Sequence, residues 1–306
     1  NFSVYYNYNP GSIMKALTFA AGINEGLYRT NSIINCDAML YAGRTLQDHV
    51  HGDITLTDAT KHSSNRAASR VAMALGKEKF GDYLTRFGFG KKTGISLEGE
   101  SVGILRPLRT WSELDLIRMA IGQTLCVTGI QMVSMYSAIA NQGVRMKPYV
   151  ISRIIGSDGN ILVENNPVRV GETISPATAA DMAFMLGTVT EVGGTGRRAH
   201  IPGYKVAGKT GTAQMPINGG YSKSDYMASF IGFFPASDPQ ITILVTFEAP
   251  HPNYYGGTVA GPVFSRIGAE VARYLEIPPD DPDPTTTGLK IGEPDPPPQP
   301  EIEIPD

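Results

Sequence analysis

Three apolar segments late in the chain constrain the fold more than any other feature of the sequence. Residues 204–214, 228–234 and 241–247 each have the pattern of a strand, and short turns such as residues 236–240 join them. Strands joined by short turns are antiparallel neighbours, because a parallel pair needs a crossover of a dozen or more residues. The sequence therefore predicts an antiparallel sheet, with a final helix over residues 259–275 packed against it.

Most helices are predicted before this sheet. The first begins at Ser12, after the Pro10-Gly11 break, and runs to about Gly26; its apolar residues leave little polar surface, which indicates a buried helix. Further helices are expected over residues 58–75, 78–87, 129–141 and 177–191, and a hairpin over residues 150–155 and 161–164. Strands and helices are thus segregated rather than strictly alternating. This favours the α+β class, an antiparallel β-sheet flanked by helices plus a mainly helical subdomain.

Composition indicates where the folded part of the chain ends. Of 306 residues 42% are hydrophobic, which is enough for a core without disulfides or metals. Ten of the 29 residues from 278 to 306 are proline and eight are acidic. Such a segment buries too little apolar surface to offset its ordering entropy. We expect one domain over residues 1–277 and a disordered Pro/acidic tail over residues 278–306.

Charge and residue usage exclude several classes of function. The formal net charge is −3, of which the tail carries −7 and residues 1–277 carry +4, so nucleic acid is not indicated as a partner. Cys36 and Cys126 stand in unrelated contexts and are interpreted as packing residues. The five histidines show no metal-ligand spacing. We therefore expect no metal and no cofactor.

The start of the chain is interpreted as a truncation. The sequence begins at Asn1 without a methionine and contains no signal peptide. Its longest apolar runs, around residues 227–235 and 241–247, are far shorter than the ~18 residues that a membrane span needs. We expect an upstream part, including any membrane anchor, to be missing.

Three short elements occur in order: Ser12-Ile13-Met14-Lys15, Ser63-Ser64-Asn65 and Lys209-Thr210-Gly211-Thr212. Residues three apart on a helix share a face, so Lys15 can reach the Ser12 hydroxyl. A serine hydroxyl is a poor nucleophile until a base takes its proton, and a lysine is such a base only where burial or positive charge lowers its pKa. The apolar first helix and Lys209 would supply both conditions.

The same elements suggest how a substrate is held. Ser12 lies at a predicted helix N-terminus, where free N–H groups suit a developing oxyanion. Gly211 within a strand permits close backbone approach by a ligand. Thr210 and Thr212, together with Lys209, form a candidate carboxylate cradle. Each element alone is a weak signal, because Ser-x-x-Lys and Ser-x-Asn are common in ordinary helices and loops.

Longer stretches around these elements make the pattern specific. They are Tyr8-Asn9-Pro10-Gly11-Ser12, Lys61-His62-Ser63-Ser64-Asn65, Glu191-Val192-Gly193-Gly194-Thr195-Gly196, Val206-Ala207-Gly208-Lys209-Thr210-Gly211-Thr212-Ala213-Gln214 and Tyr254-Tyr255-Gly256-Gly257-Thr258. Over about residues 1–275 the chain resembles the transpeptidase domain of class B penicillin-binding proteins. The steps of 51 residues, from 12 to 63, and 146 residues, from 63 to 209, fit that class. A second copy, Lys92-Thr93-Gly94, lacks the strand pattern and is interpreted as a solvated loop.

The resemblance implies a penicillin-binding transpeptidase or serine β-lactamase-like fold and a role for each residue of the pattern. Ser12 becomes the acyl-enzyme serine and Lys15 its general base, while Ser63 relays a proton to the leaving amine. Asn65 hydrogen-bonds the donor peptide. The substrate carboxylate is bound by Lys209, Thr210 and Thr212, with Gly211 in the same strand, and the oxyanion hole is formed by the N–H groups of Ser12 and Thr212.

The resemblance also implies the reaction and its setting. The serine attacks a D-Ala-D-Ala stem peptide, terminal D-Ala leaves, and the acyl group passes to an amine on a neighbouring stem peptide; β-lactam antibiotics acylate the same serine. The expected location is the extracytoplasmic face of the bacterial inner membrane, with an N-terminal anchor helix absent from this chain. Glycosyltransferase and divisome or elongasome proteins are expected partners through the missing N-terminal regions, and either a division or an elongation role remains open.

Two features depart from the family pattern and two alternatives remain. Gly129 replaces the usual proline after Thr128, which weakens helix initiation, and the family places further sheet strands and a non-catalytic pedestal upstream. One alternative is a serine β-lactamase or D,D-carboxypeptidase, but the nearest match to a deacylation motif, Glu113-Leu114-Asp115-Leu116, has Ile117 where asparagine is required. Glu113 is therefore interpreted as a helix-start residue. The other alternative is a non-catalytic penicillin-binding sensor or scaffold.

Overall fold

The structure is a computed structural model and describes residues 1–41, 44–217 and 220–281. Its helices are α1 (Phe2–Tyr5), α2 (Lys15–Asn24), α3 (Leu56–Lys61), α4 (Asn65–Phe87), α5 (Glu113–Ala120), α6 (Gly129–Ala140), α7 (Pro176–Gly187), α8 (Gly256–Val259) and α9 (Gly261–Tyr274). Its strands are β1 (Ile33–Asn35), β2 (Leu40–Tyr41), β3 (Arg44–Thr45), β4 (Asp53–Thr55), β5 (Val144–Met146), β6 (Arg153–Ile155), β7 (Ile161–Glu164), β8 (Arg169–Glu172), β9 (Ala207–Ile217), β10 (Gly220–Phe234) and β11 (Ile241–Glu248). Four 3-10 turns cover Gly11–Met14, Leu108–Thr110, Thr188–Thr190 and Arg197–Ala199.

The predicted antiparallel sheet is confirmed. Its order is β11-β10-β9, and both pairs are antiparallel. Phe230 at the centre of β10 lies between Thr210 on β9 and Val245 on β11. Strand β10 is 15 residues long, because it continues beyond the sheet into the hairpin that joins it to β9. Strand β9, which carries the Lys-Thr-Gly element, is an edge strand among the described residues.

Helix α9 covers one face of this sheet, as predicted. The Phe264 ring meets the Phe230 ring edge to face with centroids 4.7 Å apart. Phe234 and Val245 complete this cluster from the sheet side. Burying one such aromatic side chain contributes about 1.5–3 kcal/mol, so the cluster is a major source of stability for this layer.

The other face of the sheet is covered by the helical part, with α2 at its centre. Nine of the ten residues of α2 are buried, and the helix packs against α4 and α7. This confirms the predicted buried helix but changes its start. The chain forms a 3-10 turn over Gly11–Met14, and the α-helix begins only at Lys15.

The predicted helix over residues 58–75 is wrong, because the chain breaks between α3 and α4. Ser63 has a left-handed φ of 59°, which no helix accommodates. The Ser64 side chain then accepts a hydrogen bond from Ala67 N at 3.1 Å and caps the start of α4. The break that was predicted between the helices over residues 58–75 and 78–87 is present only as a kink at Gly76, whose φ is 76°.

Helix α6 begins at Gly129 although glycine is a poor start for a helix. Thr128 and Gln131 form a capping box, in which each side chain accepts a hydrogen bond from the backbone N–H of the other residue. A Cβ at position 129 would lie 3.2 Å from the carbonyl oxygen of Ser3. The glycine therefore permits the close packing of α1 against α6.

The remaining strands form four separate two-stranded sheets, β1-β4, β2-β3, β5-β8 and β6-β7, and the last is the predicted hairpin. Both cysteines are free thiols, as expected. Within the described residues, every helix is too short or too polar to cross a bilayer.

The packed body extends past the boundary predicted at residue 277. Asp280 accepts hydrogen bonds from Lys205 N at 2.8 Å and from Ser237 N and Oγ at 3.2 and 2.7 Å. Asp281 is buried and donates its N–H to Gly203 O at 3.1 Å. The first four residues of the predicted tail thus belong to the body. Residues 282–306 lie outside the described residues, and their disorder stays a prediction.

These contacts predict a difference between two truncations. Removal of residues 282–306 should leave the free energy of unfolding unchanged. Removal of residues 278–306 should lower it by about 1 kcal/mol, because the hydrogen bonds of Asp280 and of the buried Asp281 are lost, while water can replace the acceptor of the exposed donors Lys205 N and Ser237 N. Chemical denaturation of both variants measures this, and Asp280→Ala should reproduce most of the loss. Equal stability of the two truncations would place the end of the body back at residue 277.

Candidate active site

Ser12 lies on the 3-10 turn that leads into α2. Gly11, Ile13 and Met14 are buried, whereas Ser12 is partly exposed. Lys15 N donates to Ser12 O across the turn, which is the 3-10 hydrogen bond. In a 3-10 turn the side chains at i and i+3 eclipse each other, so Ser12 and Lys15 share a face more closely than in an α-helix. The turn thus presents one hydroxyl to the solvent above a buried lysine.

The Lys15 side chain joins the first element to the second. It is completely buried, and Nζ donates to Ser63 O at 2.6 Å and lies 3.2 Å from Ser63 Oγ. The burial that a lysine general base requires is therefore present. The contact with Ser63 Oγ also provides a hydrogen-bonded path for a proton between the two side chains.

The unusual backbone at Ser63 makes this contact possible. A left-handed serine costs about 1–3 kcal/mol, so the surrounding structure must hold it in place. The completely buried Asp48 carboxylate does so, because it accepts from Ser64 Oγ at 2.6 Å and from Arg66 N at 2.8 Å. Asn65 is the first residue of α4, and its side chain donates to Gln47 O at 3.4 Å.

The third element lies directly against the Ser12 turn. A Cβ at Gly211 would be 3.0 Å from Ile13 Cγ2 and 3.1 Å from Pro10 O. The sequence predicted close approach by a ligand at this glycine, and the structure shows close approach by the Ser12 turn itself. On the opposite side of the turn, Gly11 N donates to Gly122 O at 3.0 Å.

Strand alternation separates the side chains of the candidate cradle. Lys209 and Gly211 share the face toward the Ser12 turn, and Lys209 is completely buried. Thr210 and Thr212 share the other face, where Thr210 Oγ1 donates to Thr195 Oγ1 at 3.1 Å and Thr212 Oγ1 accepts from Gly256 N at 3.0 Å. Lys209 Nζ donates to Thr210 O at 3.4 Å, so the lysine contacts the backbone of the strand whose two threonine hydroxyls lie on the other face.

A second titratable group lies beside Lys15. The pKa of the His49 imidazole is lowered, mainly because the ring is buried. The Asp48 carboxylate opposes this shift, and Lys15 adds to it. The ring therefore stays neutral at physiological pH and adds no positive charge next to the lysine. Among the described residues no group of three or more His, Cys, Asp or Glu side chains could hold a metal ion.

Comparisons with known proteins agree with this geometry. A family model described as penicillin-binding protein transpeptidase domain matches residues 1–269. The chain belongs to this family. It is 35% identical to penicillin-binding protein PbpB of Mycolicibacterium smegmatis over 91% of this chain and 45% of that protein. It is 36% identical to stage V sporulation protein D of Bacillus subtilis over 87% of this chain and 42% of that protein.

The fold agrees as well. The structure of penicillin-binding protein 3 from Mycobacterium tuberculosis in complex with ampicillin superposes with a TM-score of 0.86 and 33% identity, covering 94% of this chain and 66% of that one. The α+β penicillin-binding fold expected from the sequence is therefore confirmed. The chain spans less than half the length of the two curated relatives described above.

The second Lys-Thr-Gly copy in this transpeptidase domain is a loop without strand structure, as predicted. Lys92 is exposed. Thr93 is buried, and both its N–H and its hydroxyl donate to Glu100 Oε1, at 2.5 and 2.6 Å. Gly94 N donates to the other oxygen of Glu100 at 3.2 Å. This copy is therefore a structural loop that closes on a carboxylate.

The carboxylates of the rival deacylation motif have structural positions. Glu113 is the first residue of α5 and is exposed, which confirms its interpretation as a helix-start residue. Asp115 forms a capping box with Ser112 and pairs with Arg106. The Ser112 N–H and the Arg106 guanidinium hold the pKa of Asp115 below its usual range, against the effect of burial.

Sequence reasoning gave no role to several residues that position the site. Thr195 and Gly256 contact the two threonines of β9, and both lie in stretches that carried the family resemblance. Gly122 is equally constrained, because a Cβ there would lie 2.0 Å from Gly11 O. Asp48 carried no signal at all, since a lone acid in a loop has no pattern that reveals its partners.

The contact at Gly211 predicts a loss of activity without loss of fold. Gly211→Ala should push the Ser12 turn by a few tenths of an ångström and slow acylation of Ser12 by penicillin roughly 10–100-fold, because reacting groups tolerate little displacement. Stopped-flow acylation measures the rate, and thermal melting checks the fold. Gly187→Ala is the matched control, since a Cβ there meets no atom within 4 Å. An acylation rate for Gly211→Ala equal to that of the control would contradict the assigned contact.

Proposed function

We propose that this chain is the catalytic domain of a peptidoglycan D,D-transpeptidase that works through an acyl-enzyme on Ser12. The observation that carries the proposal is the buried Lys15 amino group within 3.2 Å of Ser63 Oγ, directly after the turn that presents Ser12 against β9. Family membership and the relatives named as penicillin-binding proteins support the same reaction class.

The acylation step uses the first two elements. Lys15, as the neutral amine, takes the proton of Ser12 Oγ while the oxygen attacks the carbonyl carbon between the two D-Ala residues. The tetrahedral oxyanion is stabilised by the N–H groups of Ser12 and Thr212. When the C–N bond breaks, a proton passes from Lys15 through Ser63 Oγ to the leaving D-Ala amine.

Deacylation reverses these transfers with a new amine. The acceptor amine of a neighbouring stem peptide attacks the ester carbon and gives its proton to Ser63 Oγ, from which it passes to Lys15. The C–O bond to Ser12 then breaks, and Lys15 returns its proton to the serine oxygen, which restores the neutral amine. The chain needs no redox step and no added base for this cycle, because the acceptor amine is itself the nucleophile.

Substrate orientation is assigned to the third element and to Asn65. The Thr210 and Thr212 hydroxyls bind the terminal carboxylate of the donor peptide, and Lys209 acts from the Ser12 side of β9. Gly211 keeps the strand close enough for Thr212 N to reach the oxyanion. Asn65 hydrogen-bonds the donor backbone. Penicillin, which presents a carboxylate and a strained amide in the same arrangement, would occupy the same positions.

The setting follows from the substrate and is part of the proposal. Cross-linking of stem peptides takes place on the extracytoplasmic side of the membrane, and an anchor helix upstream of Asn1 would hold the domain there. Glycosyltransferase, divisome or elongasome proteins would then supply nascent glycan strands. This chain matches only 45% and 42% of the length of the two relatives, so the full cross-linking reaction is proposed for a protein of their length.

Acylation by penicillin tests the proposal against its alternatives. We expect one bound penicillin per chain by intact-mass spectrometry, with release over minutes to hours. We expect slow hydrolysis of the ester because the carboxylates of the rival motif, Glu113 and Asp115, have structural positions at the start of α5, and a base that activates water typically contributes about 10²–10⁴ in rate. Ser12→Ala should abolish the adduct, whereas Ser157→Ala, in an exposed turn, should not. Hydrolysis of a chromogenic cephalosporin at many cycles per second would favour a β-lactamase, and absence of any adduct on folded protein would favour a scaffold.

The role of Lys15 can be separated from that of Ser12. Lys15→Met should slow acylation about 10²–10⁴-fold, because the serine loses its base, while the slow adduct still forms on Ser12. Peptide mapping after long incubation identifies the acylated residue. Ser63→Ala removes only the Oγ contact and should slow acylation less. A normal acylation rate for Lys15→Met would eliminate this lysine as the base.

A further inference from the structure

The loop over residues 191–196 connects the second and third elements of the candidate site through Thr195. The Thr195 N–H and the Thr195 hydroxyl each donate to Lys61 O at 3.5 Å, and Lys61 lies two residues before Ser63. Thr195 Oγ1 also accepts a hydrogen bond from Thr210 Oγ1 at 3.1 Å. One side chain thus bridges the segment that carries Ser63 and the strand that carries the candidate carboxylate cradle.

The break at Ser63 explains why Lys61 O accepts from a residue so distant in sequence. Helix α3 ends at Lys61, and the last carbonyls of a helix have no donor within it. Thr195 supplies that donor from outside the helix. The Lys61 side chain extends along the same loop, since its Nζ lies 3.8 Å from Glu191 Oε2. The end of α3 is therefore attached to the loop through both its backbone and its side chain.

Close backbone packing fixes the position of Thr195. A Cβ at Gly194 would lie 2.2 Å from Val189 O, and a Cβ at Gly257 would lie 2.3 Å from Thr195 O. On the other side of Thr195, Gly196 N donates to Val189 O at 2.9 Å. Because the residues before and after Thr195 are both held, its hydroxyl has a defined place next to Thr210.

We propose that Thr195 is a positioning residue of the carboxylate site, whose hydroxyl orients the Thr210 hydroxyl toward the substrate. This inference rests on the proposed acylation of Ser12. In the structure Thr210 Oγ1 donates to Thr195 Oγ1, which donates to Lys61 O. When Thr210 donates to a substrate carboxylate instead, the Thr195 hydroxyl turns from Lys61 O to Thr210 Oγ1, and the Thr195 N–H keeps its contact with Lys61 O. Each hydroxyl only rotates, and no proton is transferred.

The charge of the substrate determines how much this arrangement contributes. A hydroxyl that accepts one hydrogen bond donates its own more strongly, because hydrogen bonds in a chain polarise one another. Hydrogen bonds to an ionised group are also stronger than those between neutral groups. Loss of the Thr195 hydroxyl should therefore weaken the binding of an anionic substrate more than that of a neutral one. A residue that only stabilises the fold would affect both substrates equally.

Acylation rates with a charged and a neutral β-lactam test this inference in the full 306-residue chain. Thr195→Val removes the hydroxyl and keeps the shape of the side chain. It should lower the second-order rate constant for acylation by penicillin about tenfold. The rate constant for penicillin methyl ester, which lacks the negative charge, should change less than about twofold. Thr195→Ser retains the hydroxyl and should restore most of the rate with penicillin.

Thr173 provides a matched control, because its N–H and hydroxyl also donate to a single carbonyl oxygen, Gly143 O, at 2.7 and 2.8 Å. Thr173→Val should leave both acylation rates unchanged, and thermal melting of each variant measures any loss of stability separately. In a Thr210→Val background, Thr195→Val should cause no further loss with penicillin, because the hydroxyl that it orients is already absent.

Three results would overturn the inference. They are a Thr195→Val variant that penicillin acylates as fast as the parent, an equal loss of rate with penicillin and with its methyl ester, and a Thr195→Ser variant as slow as Thr195→Val. A parent chain that forms no adduct on Ser12 would refute the proposed acylation as well. The adduct on the parent chain thus distinguishes a failure of the proposed function from a failure of the role of Thr195.

Discussion

The close contact between the Ser12 turn and strand β9 is the interaction on which the rest of the structure depends. The turn is held between Gly122 on one side and Gly211 on the other, and a methyl group at either glycine would meet backbone atoms or Ile13 at 2.0–3.1 Å. Because neither contact leaves room for a side chain, the Ser12 turn lies closely against the backbone of β9 on one side and of Gly122 on the other. Ser12 is thereby placed at a junction that side-chain motion cannot easily widen.

The buried lysine is the second consequence of this junction. Lys15 follows the turn directly, so the same geometry that exposes Ser12 directs the Lys15 side chain into the interior. An ammonium there needs hydrogen-bond acceptors, and the carbonyl and hydroxyl oxygens of Ser63 supply them. The left-handed backbone of Ser63 places these two oxygens next to the Lys15 amino group. The buried Asp48 carboxylate holds the residues that follow Ser63 in place.

Two surfaces away from the site show how the body is completed. Near the end of the described residues, the Asp280 carboxylate accepts hydrogen bonds from Lys205 N, before β9, and from Ser237 N, after β10. The acidic, proline-rich segment therefore begins as part of the fold. The β6–β7 hairpin has the opposite character, since its backbone pairing is complete on one edge only and its apolar side chains lack cover. The first surface stabilises the chain by itself, whereas the second leaves apolar side chains in contact with water.

The sequence by itself determined the antiparallel sheet, its covering helix and the three short elements of the candidate site, because strand periodicity, short turns and ordered motifs are local properties. It did not determine the break at Ser63, where a left-handed residue interrupts a region of helical pattern, nor the 3-10 turn at Ser12. Only the tertiary structure showed that the Lys209 side chain lies on the opposite face of β9 from Thr210 and Thr212. The contacts made by Asp48, Thr195 and Gly256 were likewise decided only by the tertiary structure. These features depend on which distant backbone atoms meet, and contacts between residues far apart in sequence leave no local pattern.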